Sequence, residues 1–469
     1  MHSRADISTL APHHRTLDYL VSMAGRQPEP AGRLHKLSII LALLLCATAT
    51  SATASYTRRG TGARVGEITT LGGLNIVDVS LKPLREADKA IAQARALHAK
   101  IVRTDVPWSM FEPHGPGQLD PSTLAFADRL VDNAAAAGIR VIMTVDSTPC
   151  WASSAPAPLL RACIPGRSGP ASAWPPRNPA GYAAFVAYLA QRYGTHLAAI
   201  EIWNEPDQAN QLYFAGPNKP QRYAAILQAA YPAIKQANPN VPVLAGSLVG
   251  ANGVFLRALY AAGIKGYYDG LAVHFYTLTL ASLRSIHEVQ LASGDTKPLW
   301  LDEFGWSSCW PQYRIQQEQA CVTPQIQARN IADIFSSLAH TPYIAAEVLY
   351  KLQGSISENF GVLSATGNRK PAFGVLSGVL ASPFGHVSPV ILSLRRRGGR
   401  VLASGSGPVG DYMELEAFRG SLLRYRVLFT LDRFNRYSIT LPRALGTSGL
   451  RVRVYQYWAG PGRVTQRSV

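Results

Sequence analysis

From about residue 68 to residue 382 the chain keeps one rhythm, in which a short β-branched apolar run is followed by a segment with apolar positions at helical spacing. The runs fall at 74–79, 101–106, 140–145, 199–205, 241–247, 270–276, 299–304 and 346–351. The helical patterns fall at 84–99, 121–137, 182–193, 220–237, 254–262, 280–291, 324–339 and 373–380. Strands separated by helices pair in parallel, and eight strand–helix units over about 310 residues predict a (β/α)8 TIM barrel. After Ser382 the texture changes to short alternating runs at 390–394, 400–404, 412–418, 422–431, 437–441 and 450–457, with no helical period between them. That predicts a small C-terminal antiparallel β-sandwich. The expected divisions are an N-terminal extension and signal peptide (1–54), the barrel (55–385) and the sandwich (386–469).

A hydrophobic fraction of 47% and a charged fraction of 16% exclude a disordered chain. Residues 37–47 are apolar, follow Arg33 and Lys36, and lead to Ala52-Thr53-Ala54. This is the pattern of a secretory signal with cleavage near Ala54, and the apolar core falls short of the roughly 20 residues a membrane span needs. A secreted or cell-surface protein is expected. Beyond residue 54 remain Cys150, Cys163, Cys309 and Cys321. An even number in an exported chain predicts disulfides, and the close pairs 150–163 and 309–321 are favoured, each worth about 3 kcal/mol by loop entropy. The net charge of +17 resides largely in the tail, where residues 386–469 carry 14 Arg against four acidic residues. Such a surface suits anionic cell-wall or acidic polysaccharide, and it equally suits solvated strands. Nucleic acid is not an expected partner of an exported chain, and a monomer is expected.

Two strands end in acids. Ala199-Ile200-Glu201-Ile202-Trp203-Asn204-Glu205-Pro206 must stop as a strand at Pro206, which leaves Glu205 at its carboxyl end. Trp300-Leu301-Asp302-Glu303-Phe304-Gly305-Trp306 does the same on the seventh run. In a closed barrel both ends open on one face, where active sites of this architecture are built. Cleaving a glycosidic bond needs an acid for the leaving oxygen and a carboxylate for the oxocarbenium-like carbon, about 5–5.5 Å apart when configuration is retained. Strand alternation turns Asp302 and Glu303 to opposite sides, so one of them is expected to face the pocket.

Trp203-Asn204-Glu205-Pro206 and Asp302-Glu303-Phe304-Gly305 resemble the acid/base and nucleophile motifs of clan A retaining glycoside hydrolases, in the same chain order. Ile101-Val102-Arg103 is similar to that clan's strand-two arginine, and Val273-His274-Phe275-Tyr276 to its strand-six histidine and tyrosine. The texture is closest to family 39, with its endoglycosidases and xylosidases, and then to family 5 cellulase-like enzymes. The resemblance spans roughly residues 68–385.

It implies Glu205 as acid/base and Glu303 as nucleophile. Asn204 would bind the sugar 2-hydroxyl, and Arg103 would keep Glu303 ionised by lowering its pKa. Tyr276 would orient Glu303, and His274 would bind the sugar or support Glu205. Read from the residues alone, Arg103 could instead pair with Asp105 or Asp146 at a strand end. Where the clan carries a strand-eight tryptophan, this chain has Tyr350-Lys351. Tyr350 offers a smaller stacking face, or Lys351 reaches an acidic substituent. Trp108, Trp306, Trp151 and Trp310 follow strand ends and are candidates to line the cleft, with Trp108 and Trp306 foremost. Tyr455, Tyr457 and Trp458 offer a sugar platform on the sandwich or belong to its core.

The expected function is an exported retaining glycoside hydrolase that cleaves β-linked O-glycosidic bonds of a poly- or oligosaccharide, with no metal or organic cofactor. The alternatives are a transglycosylase on the same barrel and a non-catalytic glycan-binding surface protein.

Overall fold

The computed structural model of the protein describes residues 70–76, 83–276, 278–309, 311, 321–339, 341–355, 358–382, 387–458 and 465–469. The signal-peptide reading, the far end of the first expected strand (77–79) and Trp310 lie outside the described residues. Ile68–Val469 forms one compact unit.

Eight parallel strands close on themselves in sequence order: β1 (Leu71–Asn75), β2 (Ile101–Pro107), β3 (Arg140–Asp146), β4 (Leu197–Ile202), β5 (Val243–Leu248), β6 (Gly270–His274), β7 (Leu299–Phe304) and β8 (Ile344–Leu349). Around them run α1 (Leu84–Ala96), α2 (Trp108–Phe111), α3 (Pro121–Ala136), α4 (Ala157–Arg161), α5 (Pro179–Tyr193), α6 (Lys219–Ala237), α7 (Val254–Ala261), α8 (Thr279–Ala292), α9 (Pro324–Leu338) and α10 (Pro371–Ala381). The two short helices α2 and α4 were not anticipated, because four or five residues are too few to show a helical period. Three long helices start from the same device, a capping side chain followed by proline. Asp120 accepts from Thr123 N, Asn178 from Ala180 N and Thr323 from Ile326 N. The cap satisfies one orphan amide, and proline at the next position has none to lose.

Strand alternation sorts the barrel into two cores. Ile101, Ile142, Leu244, Ala272 and Trp300 pack together inside the ring. Val102, Val141, Ile200 and Val243 pack outward against the helices. One step above the inner apolar layer, the same strand faces carry Arg103, Thr144, Glu201 and His274, all buried. The inside of the barrel therefore changes from hydrocarbon to charge within one side-chain layer. β1 and β2 approach so closely that a Cβ on Gly73 would lie 1.9 Å from the Ile101 carbonyl oxygen, which only glycine avoids.

Beyond α10 the chain forms the expected β-sandwich. One sheet orders β9 (Ile391–Arg397), β10 (Arg400–Ser406) and β13 (Arg436–Thr440) as β13-β10-β9. The other orders β11 (Met413–Arg419), β12 (Leu422–Phe429), β14 (Leu450–Gln456) and β15 (Thr465–Ser468) as β12-β11-β14-β15. Val401, Ala403, Met413, Leu415, Val452 and Val454 fill the space between them. β15 was not anticipated: Thr465-Gln466-Arg467-Ser468 has no apolar alternation, and it is an edge strand held by pairing with β14.

The sandwich is bonded to the barrel rather than tethered to it. The Gly410 carbonyl accepts from Leu280 N at 2.7 Å, serving the first turn of α8, which has no side-chain cap of its own. Asn435 Nδ2 donates to Asn330 Oδ1 at 2.6 Å, and Asp333 Oδ1 accepts from Ser388 N at 2.7 Å, both on α9. Cys150–Cys163 and Cys309–Cys321 are disulfide-bonded, closing the loops that follow β3 and β7. Two disulfides fit a protein that matures outside the reducing cytosol. No helix among the described residues is long and apolar enough to cross a membrane.

Gly410 has φ +94°, and a Cβ there would lie 2.5 Å from Ile334 Cδ1. Gly410→Ala is expected to cost about 2 kcal/mol or more in urea unfolding, from strain plus displacement of α9. Gly420→Ala, at φ +58° with open space around it, carries the backbone strain alone and should cost about 1 kcal/mol.

Candidate active site

At the end of β4 the backbone leaves the strand through two left-handed residues, Trp203 (φ 71°) and Glu205 (φ 45°), with Asn204 between them. Non-glycine residues in this region cost about 1–3 kcal/mol each and persist where the surroundings hold them. Here the Trp203 indole is the anchor. Its Nε1 donates to the Tyr213 carbonyl at 2.8 Å, and its ring meets Phe214 edge-on at 5.2 Å. The bend aims the Asn204 and Glu205 side chains at the barrel mouth.

β7 delivers its acids by a different route. Against β6 the register runs Val273↔Leu301 and then His274↔Glu303, so Asp302 is an extra residue. Against β8 it shifts again between Leu301 and Phe304. This bulge corrects the simple alternation expected for Asp302 and Glu303. Both carboxylates reach the same guanidinium: Asp302 Oδ2 lies 3.3 Å from Arg103 Nε and Glu303 Oε1 lies 2.8 Å from Arg103 Nη1. Asp302 is sealed in the barrel interior, whereas the Glu303 side chain is 10% exposed at the mouth.

Arg103 is the hub. It donates to Glu201 Oε2 (2.7 Å), Glu303 Oε1 (2.8 Å), Asn204 Oδ1 (2.9 Å) and Asn75 Oδ1 (3.0 Å). Thr144 Oγ1 donates to Glu201 Oε2 at 2.6 Å, and Asn75 Nδ2 to the Asp302 carbonyl at 2.7 Å. Around Glu303, the Tyr276 hydroxyl donates to Oε2 at 2.5 Å. His274 Nδ1 lies 2.8 Å from Glu205 Oε1 and 3.4 Å from Glu303 Oε2. Gln208 Nε2 donates to the other oxygen of Glu205. One atom each of Glu205, His274 and Glu303 lies within 4.8 Å of the others.

The charges sort by partner. Burial opposes the charge of Arg103, but Glu201, Asp302 and Glu303 outweigh it and raise its pKa further. Burial would raise Glu201, yet Arg103 holds it down at about 2. Burial and the neighbouring Glu201 push Asp302 well above the usual carboxylate range, so it is the protonated member of the layer. Burial, then the charge of Glu303, pushes Glu205 well up. Glu303 was expected to lie below its ordinary value beside Arg103. Burial overrides this and raises it to about 7, with Arg103 and the Tyr276 hydrogen bond pulling the other way. Burial and Arg103 hold His274 neutral.

Arg103, Asn204, Glu205, His274, Tyr276 and Glu303 thus converge on one site. Arg103 pairs with Glu201, Asp302 and Glu303 rather than with Asp105 or Asp146. Tyr350 is half-buried beside it, its ring 6.0 Å from Tyr276 and 5.7 Å from Phe360. Three expectations are corrected. Trp108 is fully buried, because α2 folds its ring back onto Trp151, Tyr182 and Phe185 while Nε1 donates to Glu112. Trp306 is 3% exposed and packs on Phe304, so it too belongs to the core. Lys351 is buried and bridges Glu358 at 3.1 Å, and so does not reach out to substrate. On the sandwich, Tyr455 is buried, Tyr457 is 38% exposed, and Arg284 of α8 covers the Trp458 ring at 5.2 Å.

Glu201, Thr144, Asn75 and Gln208 were missed. Glu201 alone left a signal, an acid inside an otherwise apolar strand that must find a partner. Two trios, Glu205/His274/Glu303 and Glu201/His274/Asp302, have spacing a metal ion could use. The Arg103 guanidinium already pairs with Glu201, Asp302 and Glu303 and opposes a second cation beside them.

The family model described as cellulase (glycosyl hydrolase family 5) matches residues 63–331. The chain belongs to this glycosyl hydrolase family. It is a glycosidase on a clan A barrel. No curated protein matches the chain. Among solved structures, a family 39 glycoside hydrolase from the gut symbiont Bacteroides cellulosilyticus WH2 superposes with TM-score 0.52 at 17% identity, over 80% of each chain. The GH39 enzyme from Xanthomonas axonopodis pv. citri gives 0.49 at 12% identity, over 86% of this chain and 95% of that one. The endo-beta-1,4-mannanase from Thermotoga petrophila gives 0.49 at 13%, over 86% and 98%. At such identities the family 39 likeness concerns the fold, and the glycosidase's site stands on its own geometry.

The raised pKa of Glu303 sets a stability dependence. Native Glu303 holds its proton up to about 7, whereas in the unfolded chain it releases it near its ordinary value of 4.5. Its contribution is therefore present below pH 4.5 and is lost as pH rises through about 7. Glu303→Gln cannot lose it, so the variant should gain stability relative to wild type between pH 4 and pH 8. Urea midpoints at the two pH values measure this.

Proposed function

We propose that this protein is an exported retaining glycoside hydrolase that cleaves β-linked O-glycosidic bonds of a poly- or oligosaccharide by double displacement. The observation that carries the reading is the asymmetric pair at the barrel mouth. Glu205 and Glu303 have oxygens within 4.8 Å, and Glu303 alone receives Arg103 and Tyr276. Carboxylate oxygens this close leave no room for a water between the carboxylates and a sugar carbon, which favours direct attack over inversion. The unequal partners keep the proton on Glu205 and the charge on Glu303.

In the first step Glu205 gives its proton to the leaving oxygen as a Glu303 oxygen bonds to the anomeric carbon. In the second, Glu205 takes a proton from water, the water oxygen bonds to that carbon, and Glu303 leaves with its electron pair. Configuration is inverted twice and so retained. Asn204, fixed by Arg103 at 2.9 Å, presents its amide N–H groups to the sugar 2-hydroxyl. His274 is neutral and supports the Glu205 proton. Tyr350 is the aromatic face beside the reacting sugar, in place of the larger indole of the clan. Both catalytic groups are carboxylic acids, so the reaction needs no metal or organic cofactor. The two disulfides support export. The family's description as cellulase makes β-linked glucan the first polymer to assay.

Three variants test the reading on purified mature protein. Glu303→Gln should lower kcat on any cleaved oligosaccharide by about 10⁴-fold or more, since no nucleophile remains. Undiminished turnover sinks the assignment. In Glu205→Gln, cleavage of an activated aryl glycoside should survive better than that of a sugar leaving group, because only the latter needs the proton. The acid limb of the kcat/KM profile should lie near pH 7, where Glu303 ionises, and Tyr276→Phe should move it upward. An unmoved limb removes Tyr276 from this role.

A further inference from the structure

The sandwich carries a charge pattern that the barrel chemistry does not use. Its strands run between two ends. The barrel-side end holds Ser388, Gly410 and Asn435, which bond α8 and α9. The module's acids lie at that end or midway. Asp411 precedes β11, Asp432 precedes β13, Glu414 pairs with Arg426 at 2.7 Å, and Glu416 bonds both Arg426 and Arg453.

The far end is built from the β9–β10 turn, the β11–β12 turn, the 3₁₀ turn Arg443–Leu445 and the start of β14. Segments 395–402, 417–423 and 440–451 contain no aspartate or glutamate, and besides Arg395 and Arg396 within β9 they carry Arg397, Arg400, Arg419, Arg443 and Arg451. These turns touch one another. Arg419 Nη2 donates to the Leu445 carbonyl at 2.8 Å, Arg451 Nη2 to the Gly420 carbonyl at 3.4 Å, and a Cβ on Gly399 would meet Arg443 at 3.7 Å. Among the described residues none of the five ion-pairs with a carboxylate side chain within 4.0 Å. Leu422 and Leu423 stand 53% and 38% exposed in the same turn region.

We propose that this end of the sandwich binds an acidic polysaccharide. An arginine-rich composition alone would place arginines at both ends without removing acids from one. Uncompensated like charges repel and work against the fold, and a bound polyanion relieves that cost. Guanidinium groups fit carboxylates bidentately, and exposed leucine gives the apolar face of a sugar ring something to cover. The site lies at the opposite end of the module from its bonds to the barrel, so it holds the enzyme on a polymer without occupying the catalytic mouth. The glycosidase reading guides the choice of a carbohydrate polyanion, but binding is read without turnover, so an inactive barrel would leave the result standing.

The test uses the full mature chain and polygalacturonate at about 0.15 M salt, where weak diffuse attraction is largely screened. Neutral dextran, phosphatidylglycerol vesicles and duplex DNA are the comparison arms. Arg397→Glu, Arg400→Glu and Arg443→Glu combined should weaken polygalacturonate binding about tenfold or more and flatten its salt dependence. Arg85→Glu, Arg95→Glu and Arg140→Glu, the same charge change at exposed barrel positions, should change it less than about twofold. The proposal is overturned if wild type does not bind polygalacturonate above dextran, if both triple variants weaken equally, or if vesicles or DNA bind more tightly than polygalacturonate.

Discussion

One buried guanidinium organises this barrel. Arg103 is fully enclosed, and through it β1, β2, β4 and β7 share a single hydrogen-bonded layer. A lone buried cation would cost several kcal/mol or more in desolvation, so the layer exists only because acids and amides surround it. Removing one partner would leave the others charged and unmatched, which makes the arrangement all-or-none. The catalytic mouth rests on this layer, since Asn204 and Glu303 are both held by the same arginine. Arg103 thus serves two ends: it closes the polar interior of the barrel, and it fixes where the mouth residues sit.

The two acids reach the mouth by different distortions of regular backbone. β4 stops in a pair of left-handed residues anchored by Trp203, and β7 inserts an extra residue at Asp302. Regular strands would have sent neighbouring side chains to opposite faces at fixed steps. The bulge lets one strand supply both a sealed acid and an accessible one. Strain and bulge are stored where the chemistry is, and the aromatic packing around Trp203 and the Arg103 layer hold them there.

Most of the fold was legible because its elements obey short-range rules. Strand 299–304 coincides with β7, and the helix starts at Pro121 and Pro324 follow from cap-and-proline chemistry visible in the sequence. Convergence of Arg103, Glu205, His274, Tyr276 and Glu303 was legible because a closed barrel sends every strand end to one face. What was not legible depends on packing. Trp108 and Trp306 sit at strand ends like site residues, yet the loops fold their rings inward, and sequence position does not reveal that direction. Gln208 bonds Glu205 from a turn with no periodic signal. β15 has a polar sequence and exists only because β14 offers an open edge.

The expectation for Glu303 failed for an instructive reason. A carboxylate beside an arginine is usually held below its ordinary pKa, but this arginine already serves Glu201. Glu201 receives the larger share of the charge and is held at about 2, and burial then dominates at Glu303. Glu303 has Arg103 and Tyr276 to stabilise its anion, whereas Glu205 faces a neutral imidazole, an amide and the charge of Glu303 itself. Both acids are pushed upward by the same dry environment, and the difference in their neighbours leaves the proton on Glu205. Division of labour between two chemically identical side chains comes from that difference in company, with burial amplifying it because each neighbouring charge counts for more when water is excluded.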